Sequence, residues 1–180
     1  MDDIKRANRQ YKDRLFKVIF GSPERKEYAL SLYNAVNGSH YPDADLLDFY
    51  TIENAVYMGM KNDLSFLFDA TLNLYEQQSS FNPNMPLRGL MYLSKQYEKY
   101  VKDNNLNLYR STLCKVPAPR YIVFYNGNDI QPDRKELKLS DAYITSIKDA
   151  ALEVNAVMLN INYGQNKKIM KACTPLNDYS

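Results

Sequence analysis

Glu76, Gln77 and Gln78 stand together at the end of an apolar run, and Pro83, Pro86 and Arg88 follow closely. If this run is a strand, alternation of side chains puts Glu76 and Gln78 on one face. The run "NDLSFLFDATLNLYEQQ" alternates on both sides of Asp69-Ala70, as a hairpin with a two-residue turn does. Counting outward from that turn pairs Phe68 with Thr71 and sets Asp63 directly opposite Glu76. Residues so opposed have β-carbons roughly 4.5–5.5 Å apart, a separation at which two carboxylates repel. A divalent cation reverses the sign, because Mg²⁺ is commonly held by one or two carboxylates with water and phosphate oxygens. Two readings stand side by side. Asp63 and Glu76 are a ligand pair, or Asp63 opens a strand after a turn and Glu76 lies on a solvated face. A register slip of one residue would send Asp63 to the other face.

Other chemistries find little support. One histidine, His40, lies in a polar Gly-Ser-His-Tyr-Pro loop, and Cys114 and Cys173 are far apart, so zinc spacing and Ser-His or Cys-His schemes are missing. No GxxxxGK[ST] or GxGxxG loop occurs. Any chemistry here must rest on carboxylates. A net charge of +2 argues neither for nor against nucleic acid, although Lys5, Arg6, Arg9, Lys12, Arg14 and Lys17 crowd the N-terminus against three aspartates. That cluster is either a phosphate-contacting surface or a solvated helix face.

The elements that must position these residues follow from composition and periodicity. The chain has 180 residues, 45% hydrophobic and 24% charged, which describes one globular domain, 1–180. No run is long and apolar enough to span a membrane, and "MDDIKRANRQ" lacks a signal-peptide core, so a cytoplasmic protein with reduced thiols is expected. "YKDRLFKVIFG" has helical spacing up to Gly21, and a second helix begins at Ser22-Pro23 and stops at Asn37-Gly38. Strands are expected in "FYTIENAVYMGM" and in the two arms of the hairpin. The segment "LRGLMYLSKQYEKYVKDN" reads as a helix with Leu87, Leu90, Met91, Tyr97 and Val101 on its apolar stripe. "RYIVFYNG" reads as a buried central strand, "AVMLNINYG" as another strand and "NKKIMKAC" as a short helix.

A strand-initial aspartate, a hairpin, Glu-x-Gln and a helix with an early arginine resemble the PD-(D/E)XK nuclease superfamily. Within it the chain resembles the Rpn group of recombination-promoting nucleases, also described as putative transposases. The resemblance rests on "YKDRLFKVIFG", "GMKNDLSFLFDATLNLYEQQSSFNPNMPLR", "FYNG", "LKLSDAY" and "MLNINYGQNKKIMKAC", which extend from about residue 11 to the C-terminus. It implies an α/β fold with a restriction-endonuclease-like core in the order α-β-β-β-α-β, a mixed central sheet flanked by helices. The element order read from periodicity is the same. Members of the group tend to continue further, so the expectation is either a truncated copy, lacking a C-terminal region that would serve oligomerisation or DNA targeting, or a compact stand-alone form.

Carried over by position, Asp63 matches the metal-binding aspartate, Glu76 the second acidic ligand, and Gln78 the superfamily lysine. Asp13 and Lys17 match a recurrent D-x-x-x-K, and Arg88 and Tyr92 a recurrent R-x-x-x-Y. The resemblance implies Mg²⁺-dependent hydrolysis of DNA phosphodiesters, with Mn²⁺ as a substitute. Asp63, Glu76 and the backbone carbonyl of Gln77 would be the metal ligands. Gln78 carries neither charge nor basicity, so its amide can only orient water or phosphate. Arg88 and Lys17 are the candidates to supply the missing charge, or each forms an ordinary surface salt bridge. Lys17, Arg88 and Asp13 are the candidate substrate-binding residues, and Tyr92 is expected in the core. Cutting both strands calls for a homodimer. The competing expectation is a weakly active or inactive module that binds nucleic acid or a protein partner, and a third is a regulatory protein that uses the scaffold to bind a partner.

Overall fold

The computed structural model describes residues 11–12, 14–50 and 64–180. Asp13 and Asp63 lie outside the described residues, as does most of the expected strand "FYTIENAVYMGM". The chain is an α/β protein, and its described residues form a six-stranded mixed sheet in the order β1-β2-β3-β4-β6-β5. Its strands are β1 (Asp48–Phe49), β2 (Leu64–Phe68), β3 (Thr71–Gln78), β4 (Ala118–Tyr125), β5 (Arg134–Lys138) and β6 (Asn155–Asn160). Strands β3, β4 and β6 run parallel, while β1, β2 and β5 are antiparallel to their neighbours.

Helices cover both faces. The first helix, α1, is described at 11–12 and 14–20. Ser22 and Pro23 then open a 3₁₀ turn that runs into α2 (Lys26–Asn37). Gly38 ends α2 in the left-handed conformation, φ 65°, its N–H bonded to the Asn34 carbonyl. That is the stop expected of a glycine at this position. The remaining helices are α3 (Met85–Asp103), α4 (Lys167–Ala172) and α5 (Thr174–Tyr179).

The period of two along β3 and β4 divides the core. Tyr75, Ile122 and Phe124 face α1, α2, α4 and α5, where Phe16 and Phe20 pack with Leu30, Leu32 and Leu176. Leu72, Leu74, Tyr121, Val123 and Tyr125 face α3 through Met85, Tyr92 and Leu93. Gly89 lets α3 come down onto the sheet. A β-carbon there would stand 2.3 Å from the Tyr121 ring.

The hairpin forms in the register counted from the sequence, from Phe68↔Thr71 to Leu64↔Tyr75. Asp69 and Ala70 both take positive φ, 48° and 55°. That pair of dihedrals matches the right-handed twist of the flanking strands, which is why such turns dominate two-residue hairpins. The Asp69 carboxylate also accepts a 2.7 Å hydrogen bond from the Tyr41 hydroxyl.

Two elements differ from the expectation. The buried face of α3 carries Met85, Pro86, Gly89, Tyr92, Leu93 and Gln96, whereas Leu87 and Met91 are 41% and 46% exposed. Periodicity misplaced the face because a glycine and a glutamine, which do not count as apolar, occupy its centre. Strand β5 was not anticipated either. Arg-Lys-Glu-Leu-Lys has one apolar residue, and its strand conformation comes from pairing at the sheet edge with β6.

Candidate active site

Glu76 lies on the α3 face of β3, in the central part of the sheet. It is 1% exposed, an expensive position for a carboxylate without a partner. Arg88 supplies one. Its Nη2 stands 3.3 Å from Glu76 Oε2 and donates at 3.2 Å to the Tyr92 hydroxyl, while Nη1 reaches Met85 Sδ at 3.5 Å. Arg88 and Tyr92 are neighbours because positions four apart on a helix share a face. Burial works against the guanidinium charge, but the hydrogen bond to Tyr92 and the Glu76 carboxylate outweigh it, so Arg88 sits above its ordinary pKa. The Arg88 side chain keeps 32% of its surface exposed, so the ion pair reaches water from the arginine side only.

Gln78 shares the Glu76 face by strand alternation and sits where β3 ends. Its backbone carbonyl accepts the Asn126 N–H at 2.9 Å, across the gap to β4. Successive carbonyls of a strand point to opposite sides, so the Gln77 carbonyl is directed toward the β2 side of β3. The Gln77 side chain is buried on the opposite face.

Glu76, Arg88 and Tyr92 are therefore brought together, with Gln78 along the same face. Lys17 takes a different place. Helix α1 packs across the other face of the sheet, where Phe16 meets Phe124 with ring centroids 5.5 Å apart. Lys17 lines an open cavity of about 530 Å³ there with Arg14, Gly21, Ser22 and Arg25. A different lysine of α1 reaches the strand ends. Lys12 Nζ donates to Asn126 Oδ1 at 2.9 Å, and its backbone carbonyl accepts from the Tyr179 hydroxyl at 3.1 Å. Lys12 and Asn126 are 114 residues apart, and the only sequence signal was membership of a basic N-terminal cluster.

Among the described residues no group of three or more His, Cys, Asp or Glu side chains is placed to hold a metal. The described oxygen donors are the Glu76 carboxylate, the Gln77 carbonyl and the Gln78 amide, hard ligands of the kind Mg²⁺ takes. The guanidinium already beside Glu76 sets a condition on any second cation, which must share or displace that contact. His40 is exposed in a loop, and both cysteines are free thiols, Cys173 buried and Cys114 half-buried. No described helix is long and apolar enough to cross a membrane. Comparisons with protein-family models, curated proteins and solved structures found no match.

Proposed function

We propose that the protein is a Mg²⁺-dependent DNA endonuclease with a restriction-endonuclease-like core, acting in recombination or mobile-element biology. The observation that carries the reading is the placement of Glu76, inside the sheet, on the face it shares with Gln78 and against Arg88. Two further features support it. The hairpin pairs in the register that, continued by one step from Leu64↔Tyr75, would set position 63 across from Glu76. The stretches resembling the Rpn group supply these same residues.

Asp63, Glu76 and the Gln77 carbonyl would hold the ion, which would activate a water and polarise the scissile phosphate. The chain's own groups do the rest. Arg88 presents positive charge beside Glu76 and, being partly exposed, can turn toward a phosphate oxygen. Gln78 orients water or phosphate through its amide without moving a proton. Activity limited by the missing lysine charge follows. The proposal includes a homodimer for cutting both strands and, from the free thiols, a reducing cytoplasmic setting.

One observation favours a second reading, a nuclease-like module that binds nucleic acid or a protein without cutting. The Arg88 guanidinium already neutralises Glu76, so the pair is stable with no metal. Nicking of supercoiled plasmid separates the two. Wild type should nick with Mg²⁺ or Mn²⁺ and not with EDTA, while Asp63→Ala and Glu76→Ala should not. Metal-dependent nicking that survives in both variants refutes the assignment, and an inert wild type favours the binding module.

A further inference from the structure

Asparagine side chains staple together the loops that leave the C-terminal ends of β4 and β6. Asn160 donates to the Gln131 carbonyl at 2.8 Å, Asn162 to that of Gly127 at 2.9 Å, and Asn166 to those of Asn160 and Asp133. Asn126 extends this rim to the candidate active site. It bonds the Gln78 carbonyl through its backbone N–H, takes Lys12 Nζ on Oδ1, and reaches the Ser180 carbonyl at 3.5 Å. The rim is rich in cations. Arg134 follows Asp133, and Lys167 follows Asn166, so the Asn166–Asp133 hydrogen bond brings their backbones close. Lys168 and Lys171 are exposed beside them on α4. The contact of Arg134 with Glu136 is 3.7 Å long between side chains more than half exposed, too weak to remove its charge.

Beside α4 lies a cavity of about 270 Å³, lined by Tyr163, Gln165, Lys167, Lys171, Asn177 and Ser180 among others. Among the described residues no acidic side chain lines it. Asp178 of α5 instead lines a separate cavity with Leu15, Ile19 and Tyr28. Tyr163 is 95% exposed, an aromatic ring held out in water beside two lysines.

We infer that this cavity seats one nucleotide of an unpaired nucleic-acid strand, its phosphate between Lys167 and Lys171 and its base on Tyr163. Lysine ammonium groups bind phosphate as point charges, and an aromatic ring stacks on any base whose own face is free. A base inside a duplex is already stacked, so the exposed ring selects an unpaired strand. Gln165 and Asn177 offer amides to the base edge or sugar. A free nucleotide carries the same phosphate and base, but only a chain of phosphates gives Arg134, Lys168 and Lys12 something to bind along the rim. The inference rests on the nuclease reading in one respect, that the strand held here continues to Gln78 and Glu76.

The test is fluorescence anisotropy in EDTA with a labelled single strand, the matching duplex and AMP as competitor. Wild type should prefer the single strand. Tyr163→Ala should weaken it about 5- to 150-fold, the range for one stacked base. Lys167→Glu with Lys171→Glu should make the slope of log affinity against log salt shallower by about 0.7, the change for one phosphate no longer neutralised. Variants that bind like wild type overturn the inference, as does AMP competing at concentrations matching those of the strand's own nucleotides. Plasmid nicking by the same preparations keeps the two claims apart. A wild type that nicks while the variants bind unchanged defeats only this site, whereas a wild type that neither nicks nor binds defeats the nuclease reading and this inference together.

Discussion

Replacing Arg88 with methionine removes the guanidinium from Glu76 while keeping a long apolar stem against Met85 and Tyr92. At 3.3 Å the gross Coulomb attraction is about 5 kcal/mol for an effective dielectric near 20. Desolvation offsets much of that, and the measurable cost is that of leaving a carboxylate buried beside an apolar group. Breaking one side of a buried pair typically costs about 3–5 kcal/mol. Arg88 is one-third exposed, so water can follow into the space it leaves. We therefore expect a loss of about 2–3 kcal/mol, at or below the lower bound of that range. For a chain of this size each kcal/mol moves the melting temperature by roughly 2–4 °C, which predicts a fall of about 4–12 °C. Urea denaturation with a double-mutant cycle through Glu76→Gln reads the coupling directly, expected at about 1.5 kcal/mol or more. A loss below about 1 kcal/mol for Arg88→Met, the level of an exposed pair, would refute the reasoning.

Three smaller perturbations test the frame that holds the site. Ala70→Gly should stabilise by about 0.5–1 kcal/mol in urea denaturation, because Ala70 holds φ 55° at a cost that glycine escapes. A loss of stability would show that the turn does not have this geometry. Gly89→Ala should destabilise by about 1–3 kcal/mol despite alanine's better helix propensity, since its β-carbon would meet the Tyr121 ring. Gly89→Ala melting at or above wild type would mean α3 sits further from the sheet. Burial pushes the Cys173 thiol above its ordinary pKa. It should therefore stay protonated and slow toward a disulfide reagent as the pH is raised through the usual thiol range, while half-buried Cys114 reacts, and mass spectrometry of the labelled chain identifies which thiol has reacted.

The hairpin was legible because its information is local. Once the turn is placed at Asp69-Ala70, a period of two on each side sets the register by counting outward, and the pairing from Phe68↔Thr71 to Leu64↔Tyr75 follows that count. Strand β4 was legible for the opposite reason, an apolar run that only a central position accommodates. The face of α3 was not, because closeness to the sheet is achieved by Gly89 and a polar Gln96 is buried there. Strand β5 could not be read from its charges, since its partner β6 dictates it. The resemblance offered Arg88 as a charge for the phosphate, but its pairing with Glu76 was not legible, for nothing in the spacing of residues 76 and 88 says that a helix crosses the strand there. The reach of Lys12 to Asn126 depends on how α1 docks, a tertiary fact with no local signal.

The central claim is that Asp63 and Glu76 together hold one divalent cation, and Mn²⁺ binding followed by electron paramagnetic resonance in the absence of DNA tests it most directly. The account predicts a single site in the wild type, lost in Asp63→Asn and in Glu76→Gln, and tighter in Arg88→Met because the competing guanidinium is gone. Equal Mn²⁺ binding by wild type and Glu76→Gln would contradict it.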